Sequence, residues 1–351
     1  MRLLHTTSFR LKEYFDENVP DYAILSHTWG RNEVSYHDIQ SQSDPNTIDG
    51  FDKIKGACAL AAREKYDFIW IDTCCIDKSS SSELSEAINS MYSWYQRAAV
   101  CYAYLADVQF LAGAEDDITV QEPPRDSPTT SSRSEPNKNS SPKPPIWNFE
   151  EFEFRNSRWF TRGWTLQELV APRKLFFYSR DWKRLGSKDS LRDLISSITG
   201  IDYSVLAGGD LKPISVARKM YWASNRTTTR KEDMAYCLMG IFSVNMPLLY
   251  GEGERAFLRL QEQIITMNDD QSIFAWTLPR RRAERQLLHG LLAPSPRAFM
   301  DTGRKVWLFP PIHRRKRAVR VVNSSLEVEV ILRPHDNMPL GRARLPDGCF
   351  K

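Results

Sequence analysis

The sequence predicts an α/β fold built on a parallel sheet with flanking helices, and three observations lead to that prediction. Short apolar runs typical of buried strands alternate with segments whose apolar residues recur at helical spacing. Their order of strand, helix, strand, helix, strand is that of right-handed crossovers in a parallel sheet. Polar residues follow directly after several strand-like runs, which is where such sheets bind ligands.

The first half of the chain supplies three predicted strands and two helices. Residues 22–26, 68–71 and 100–105 are apolar runs of strand length. Residues 51–65 and 84–95 carry apolar side chains three or four positions apart, the period of an amphipathic helix.

A break follows the third strand. Residues 121–145 contain seven Pro and six Ser and no aliphatic or aromatic residue. Such a segment buries too little apolar surface to offset the entropy of ordering it. We therefore predict a disordered insertion over residues 112–146 in a surface loop, rather than a domain boundary.

Apolar sequence resumes after the insertion. Thr161 is a candidate N-cap for a short helix that Pro172 would stop. Residues 175–178 form a fourth strand-like run, and the alternation in residues 326–330 predicts a small β-rich appendage near the C-terminus.

The predicted organisation has three parts. Residues 1–185 form the α/β core, residues 186–272 a helical extension packed on it, and residues 273–351 a basic, partly β region. Residues 277–351 contain 16 Lys/Arg and 6 Asp/Glu, whereas the rest of the chain contains 32 basic and 38 acidic residues. A basic region is a candidate nucleic-acid surface. However, no aromatic side chain interrupts the run 314–317 to stack on bases, which disfavours that partner.

Composition excludes several classes of protein. Apolar residues make up 41% and charged residues 26%, as in globular proteins. No apolar stretch approaches the roughly 20 residues that span a bilayer, and no signal peptide is recognisable, so we expect an intracellular protein without a membrane partner. The six cysteines include no Cys-x-x-Cys pair, so we expect buried free thiols and no metal site.

The segment 251–256 fits the glycine-rich dinucleotide pattern G-x-G-x-x-A. Glu252 and Glu254 would lie where a pyrophosphate needs bare N–H groups and positive potential. We therefore interpret this segment as structural, with its acids at the N-terminus of a helix.

Three polar clusters instead lie just beyond predicted strand ends. They consist of Ser26, His27, Thr28, Trp29 and Gly30, of Asp72 with its neighbours Cys74, Cys75 and Asp77, and of Arg162, Trp164 and Glu168. Trp164 and Glu168 are four positions apart and share a helix face. An aromatic plane can stack on a base, while a carboxylate can bind ribose hydroxyls or stabilise positive charge at an anomeric carbon. A structural alternative stays open, with Trp164 in the core and Glu168 paired with Arg162 or Arg173.

These clusters belong to longer segments that resemble the fungal heterokaryon-incompatibility (HET) domain. The matching segments are 22–30 (YAILSHTWG), 50–78, 85–105, 157–172 (SRWFTRGWTLQELVAP), 230–256 and 270–276. The resemblance implies a cytoplasmic fungal protein of non-self recognition and innate immunity whose action ends in programmed cell death.

HET domains are in turn remotely similar to TIR domains, which implies a flavodoxin/TIR-like core. Many TIR domains cleave NAD at the nicotinamide–ribose bond with a glutamate in a Trp-Cys-x-x-Glu-like pattern. The run from Trp164 to Glu168 resembles this pattern, with Thr165 in place of the Cys. By this resemblance Glu168 is the catalytic residue of a NAD hydrolase, and NAD is its substrate rather than a prosthetic group.

The resemblance also implies a binding role for the remaining cluster residues. Trp29 or Trp164 would stack on an aromatic ring of NAD, and Arg162 would pair with the pyrophosphate. The other binding residues would be Ser26, His27, Thr28, Gly30 and Asp72.

Two hypotheses for the mechanism of death signalling stay open. An NAD hydrolase requires Glu168 in an open cleft, and we expect self-association or an upstream fungal receptor to activate it. A non-enzymatic module would oligomerise and recruit partners, and it would tolerate a buried Glu168.

Overall fold

The computed structural model describes residues 1–15, 18–41, 50–111, 147–277, 290–303, 320–322 and 325–327. A seven-stranded sheet lies at the centre of this part of the chain, which confirms the α/β class. Its strands are β1 (Arg2–His5), β2 (Leu11–Glu13), β3 (Ala23–His27), β4 (Phe68–Trp70), β5 (Val100–Tyr104), β6 (Leu175–Tyr178) and β7 (Arg184–Ser187).

The strand order is β2-β1-β4-β3-β5-β6-β7. Strands β4, β3, β5 and β6 are parallel, as predicted. The sheet as a whole is mixed rather than parallel, because β1, β2 and β7 are antiparallel additions at its two edges. These strands are only three or four residues long, and β2 is largely exposed, so they carry little of the apolar signal that marks a buried strand.

Helices cover the sheet and form the second half of the described chain. They are α1 (Tyr36–Gln40), α2 (Phe51–Arg63), α3 (Ser81–Arg97), α4 (Glu151–Arg155), α5 (Thr165–Val170), α6 (Arg192–Thr199), α7 (Tyr203–Leu206), α8 (Val216–Ala223), α9 (Asp233–Tyr236), α10 (Met239–Phe242) and α11 (Arg255–Met267). A separate hairpin pairs β8 (Arg320–Val322) with β9 (Ser325–Glu327). Helices α6 to α11 fall within the predicted helical extension, and the hairpin falls within the predicted C-terminal region.

Helix α3 illustrates how sequence determines packing. The Ser80 side chain caps it by accepting the Glu83 N–H, and its apolar residues fall on one buried face. On that face Trp94 and Tyr95 make edge contacts with Trp70 of β4. This packing holds the Tyr95 hydroxyl beneath the end of β3, where it donates to the Leu25 carbonyl at 2.9 Å.

Helix α5 begins later than predicted. Thr161 ends a 3₁₀ turn that starts at Arg158, and its hydroxyl donates to the Arg158 carbonyl at 2.9 Å. The helix itself starts at Thr165, so the predicted cap at Thr161 is wrong, while the end before Pro172 is confirmed. All six residues of α5 are buried. The buried Lys188 ammonium donates to the Leu169 and Pro172 carbonyls at the end of the helix.

The insertion predicted over residues 112–146 lies outside the described residues and stays a prediction. The residues that flank it are neighbours, since the Leu111 N–H donates to the Asn148 carbonyl at 2.9 Å. Five cysteines are free and buried, as expected, and Cys349 lies outside the described residues. Among the helices described, none has the length and apolar character needed to cross a membrane.

Candidate functional site

Strand β3 ends at the point where the strand order reverses. The chain passes from β3 to β4 on one side of it and later returns to β5 on the other side. In open α/β sheets such a reversal leaves a crevice at the carboxyl ends of the strands. Ser26 and His27 are the last residues of β3, and Asp72 follows β4 by two positions.

Glu168 meets Ser26 at this edge. The Ser26 hydroxyl donates to Glu168 Oε2 at 2.5 Å, and the indole of Trp159 donates to Ser26 Oγ at 2.8 Å. Ser26 is fully buried and Glu168 is only 7% exposed. The Tyr95 hydroxyl is hydrogen-bonded to the same carboxyl group. The carboxyl is therefore enclosed and fully partnered rather than open to a cleft.

Burial raises the pKa of Glu168 to about 8, with the neighbouring Asp72 charge adding to the rise and the Ser26 hydrogen bond opposing it. The group is accordingly mostly protonated at pH 7. The hydrogen-bond pattern suits this neutral form. The Tyr95 hydroxyl donates its hydrogen bond to the Leu25 carbonyl. The oxygen of Tyr95 can therefore accept a hydrogen bond from the protonated Glu168 carboxyl.

Asp72 organises the second part of the site. Its Oδ1 lies 3.0 Å from His27 Nε2, and its Oδ2 accepts the Trp29 indole N–H at 2.8 Å. The Lys78 ammonium sits 3.8 Å from the centroid of the Trp29 ring. Burial alone would raise the pKa of Asp72, but the His27 hydrogen bond, the Lys78 charge and the Trp29 hydrogen bond together hold it below its usual range.

Two neighbouring carboxyl groups therefore have pKa values shifted in opposite directions. Asp72 stays ionised while Glu168 stays protonated at neutral pH. Such divergence between adjacent acids is common at sites of acid–base chemistry.

The exposed part of the site lies after β3. Trp29 is 50% exposed and Thr28 is half-buried. The Gly30 N–H donates to the Glu33 carboxylate at 2.5 Å, and Lys53 pairs with the same oxygen. Trp29 is thus the aromatic surface that a ligand can reach.

The two other predicted binding residues point elsewhere. Arg162 donates to the Thr229 hydroxyl at 3.2 Å, and the Trp164 indole is hydrogen-bonded to Asp233 of α9. Both side chains face the helical extension, although Glu168 lies one helical turn from Trp164. The structure brings together two sets of predicted residues: Ser26 with Glu168, and His27 and Trp29 with Asp72.

Sequence reasoning missed four residues of this environment, namely Trp159, Tyr95, Lys78 and Arg226, a buried residue after α8 whose charge acts on Glu168. Lys78 is the last residue of the HET-like segment 50–78, and the sequence shows it as a basic residue soon after strand β4. The other three reach the site only through tertiary packing, which local spacing does not reveal.

The glycine-rich segment is structural. The N–H groups of Gly251 and Gly253 both donate to one carboxylate oxygen of Glu232, at 2.9 and 3.0 Å. Their φ angles of +106° and +61° favour glycine at both positions. An internal carboxylate thus occupies the place of a bound anion. Within the described ranges, no group of three or more His, Cys, Asp or Glu is placed to hold a metal ion.

The fold and site define an α/β domain with a polar centre at the carboxyl ends of its parallel strands. Residues 22–168 match the family model of the heterokaryon incompatibility protein (HET), and the chain belongs to that family. Residues 255–298 match a family described as a domain of unknown function (DUF8212).

One relative shows the extent of the likeness. The vegetative incompatibility protein HET-E-1 of Podospora anserina is 44% identical over 249 residues. The aligned region covers 70% of this chain and 16% of that protein, so the chain corresponds to a small part of its relative. No solved structure matches the chain.

Proposed function

We propose that the chain acts in heterokaryon incompatibility as an effector that triggers cell death by hydrolysing NAD. The observation that carries this proposal is the buried Glu168 carboxyl, held 2.5 Å from the Ser26 hydroxyl where the strand order reverses. When the four parallel strands are numbered along the chain, they lie in the order 2-1-3-4 across the sheet. Flavodoxin-like sheets begin with the same order, which supports the TIR-like comparison.

The reaction joins water to the ribose of NAD and releases nicotinamide, ADP-ribose and a proton. The bond from ribose C1 to nicotinamide breaks with its electrons moving to the departing ring, which leaves an oxocarbenium-like ribose. A carboxylate beside C1 stabilises that charge, and Glu168 supplies it once ionised. Water then attacks C1.

The closed arrangement is the resting state in this proposal. Burial keeps Glu168 protonated and bound to Ser26, a form that cannot neutralise a cation. Opening toward water would lower the pKa of Glu168 and generate the carboxylate. Self-association or an upstream receptor would provide the opening, so that a cell keeps its NAD until non-self contact.

Trp29 and Lys78 provide contacts for the rest of the substrate. The exposed Trp29 ring can stack on the nicotinamide or adenine, and the Lys78 ammonium beside it can pair with the pyrophosphate. Arg162 is less suited to that role, because its guanidinium is turned toward Thr229.

A second candidate function is favoured by the same burial. A glutamate that is 7% exposed and hydrogen-bonded to the Ser26 and Tyr95 side chains is also what a non-enzymatic signalling module would contain. In that case Glu168 stabilises the fold, and the surface around Trp29 recruits a partner. The basic region that suggested nucleic-acid binding lies mostly outside the described residues.

Nicotinamide release from NAD distinguishes the two functions. The full chain is assayed both dilute and in crowding agent that promotes association, beside Glu168→Gln and the control Glu64→Gln. Glu64 also accepts a tyrosine hydroxyl, that of Tyr102 at 2.8 Å, but lies outside the site. We expect release by the wild type and the control and a loss of at least about a hundredfold in Glu168→Gln.

The opposite result selects the signalling module. Folded, self-associated wild type that releases no nicotinamide would overturn the hydrolase. Fungal cells expressing Glu168→Gln would in that case still die, provided the variant folds as judged by circular dichroism.

A further inference from the structure

A buried cation lies beside the helix that carries Glu168, and it comes from the helical extension rather than from the α/β core. Arg226 follows α8 and is 5% exposed. Its Nη1 donates to the Arg162 carbonyl at 2.8 Å and to the Thr165 hydroxyl at 2.9 Å. Its Nε donates to the Trp222 carbonyl at 3.3 Å. The two Nη1 bonds attach the guanidinium to the entry and first residue of α5, while the Nε bond stays within the end of α8.

One nitrogen of the Arg226 guanidinium can still donate hydrogen bonds. Its buried Nη2 has no hydrogen-bond partner within the described part of the chain. Burial lowers the pKa of Arg226 to about 10, while the neighbouring Cys237 and Glu168 oppose that change. Because burial raises the pKa of the Cys237 thiol and keeps it neutral, Glu168 is the neighbour that can become an anion near neutral pH. An unpaired buried donor is costly, and an ionised Glu168 carboxylate would offset that cost.

We infer that Arg226 is a positioning residue for Glu168, anchoring helix α5 and supplying the buried positive charge that meets the Glu168 carboxylate when the proton leaves. The inference assigns part of the site to the extension, beyond the residues that match the HET family. It rests on the proposed function only for its effect on NAD cleavage.

Other groups around Glu168 do not supply that charge. The polar and titratable groups that face it are Ser26 from β3, Asp72 after β4, Tyr95 from α3, and Arg226 from the extension. Cys101 of β5 and Cys237 after α9 also interact with it. Arg226 is the cation of this set. Lys188 lies near Cys101, but its ammonium is bound to the carbonyls that end α5.

The test follows the titration of Glu168 itself in the full chain. A buried protonated carboxyl has an infrared C=O band distinct from that of ionised carboxylates, and subtraction of Glu168→Gln assigns it. The variants are Arg226→Gln, Arg226→Lys and the control Arg218→Gln. Arg218 also lies on α8, but its guanidinium pairs with Asp202 at 2.9 Å.

We expect Arg226→Gln to raise the titration midpoint of Glu168 by about one pH unit, since a nearby cation favours the ionised form. Arg226→Lys, which keeps the charge, returns the midpoint toward the wild-type value. Arg218→Gln lowers thermal stability and leaves the midpoint in place. An unchanged midpoint in folded Arg226→Gln, or an equal shift in Arg218→Gln, would overturn the inference.

A reciprocal measurement covers the case in which Arg226→Gln does not fold. Glu168→Gln should then change the Nε–H resonance of Arg226, with the Arg218 resonance as an internal reference, and no change would overturn the inference. If the wild type cleaves NAD, Arg226→Gln should move the acidic limb of the pH–kcat profile upward by about one pH unit, since a nearby cation favours the ionised form. If the wild type does not cleave NAD, the titration of Glu168 still tests the positioning role of Arg226. Failure of the NAD hydrolase proposal can therefore be distinguished from failure of this inference.

Discussion

At the residue scale, the central feature is a glutamate kept neutral by its surroundings. Three elements enclose Glu168, because Ser26 comes from β3, Tyr95 from α3 and Trp159 from the turn before α5. Each neighbour contributes a polar atom, yet none contributes a full charge. The Ser26 hydrogen bond favours the ionised form, but the loss of solvation on burial outweighs it, and the pKa of Glu168 rises.

The pH dependence of stability follows from this rise. The pKa of Glu168 is about 8 in the folded chain against an ordinary value of 4.5. The folded state thus binds the proton more tightly, and the stability that Glu168 contributes is complete below pH 4.5 and is lost as pH rises toward 8. The free energy of unfolding should fall by up to about 1.4 kcal/mol per pH unit within this window.

Urea unfolding between pH 5 and pH 8 measures this effect. Glu168→Gln should have a flatter pH profile than the wild type, while Glu64→Gln keeps the wild-type slope. Measurements stop at pH 8 because burial lowers the pKa of Lys188 to about 8, which adds a dependence of opposite sign above that pH. Parallel profiles for the wild type and Glu168→Gln would show that the buried acid is ionised.

Individual residues were predictable from the sequence only in part. Ser26, His27 and Asp72 were placed at strand ends because the apolar runs before them are recognisable, and those strands exist. Ser26 and Glu168 were predicted to share one site, but the direct hydrogen bond between them, across 142 positions of sequence, was not foreseen. The predicted ion pairs of Glu168 with Arg162 or Arg173 considered only neighbours along the chain.

At the element scale, helix α5 is held by contacts from the extension. The Gly163 N–H donates to the Thr227 carbonyl at 2.9 Å, and the Thr227 N–H donates to the Thr161 carbonyl at 2.7 Å. These bonds tie the entry of the helix to the loop after α8. A helix of six residues has little stability of its own, so such tertiary contacts hold it in place.

At Gly163 the entry of α5 approaches the extension closely. A Cβ atom there would lie 2.4 Å from Thr228 Cγ2 and 3.1 Å from Cys237 Sγ. Gly163→Ala should therefore destabilise the chain by about 1–3 kcal/mol through overpacking. Thr228→Ser removes the clashing methyl group, so the double variant should recover much of that loss.

Thermal or urea unfolding of the two single variants and the double variant measures this coupling. Gly290→Ala serves as a control, because no described atom lies within 4 Å of its added Cβ. Additive losses in the double variant would show that Thr228 does not limit the approach.

Element types were easier to predict than element ends. The strands β3, β4, β5 and β6 stand where apolar runs indicated them, because buried parallel strands are apolar throughout. The start of α5 was misplaced because the extension, rather than a local cap, sets it.

At the scale of the whole molecule, contacts cross the boundary expected at residue 185. Strand β7 itself runs through it, from Arg184 to Ser187. Helix α10 packs on α3 so closely that a Cβ on Gly240 would lie 2.2 Å from Tyr92 Cβ. The buried Arg226 joins the extension to α5. A division into separate domains at this point stays a prediction, and these contacts argue for shared stability.

We therefore expect the core and the extension to unfold together. Arg226 and Trp222 stay buried only while α5 and its surroundings are folded. Separating the extension from the core would expose the surfaces that the two parts bury against each other, so neither part is expected to unfold alone. Hydrogen exchange with mass spectrometry, measured across a urea series, should give the same midpoint for peptides from β3 and β5 as for peptides from α8 and α10. Gly163→Ala should lower all of these midpoints equally. If the peptides of α8 and α10 lost protection at a lower urea concentration than the strands, the extension would be a separate unit, and Glu168 would lose its buried cation without global unfolding.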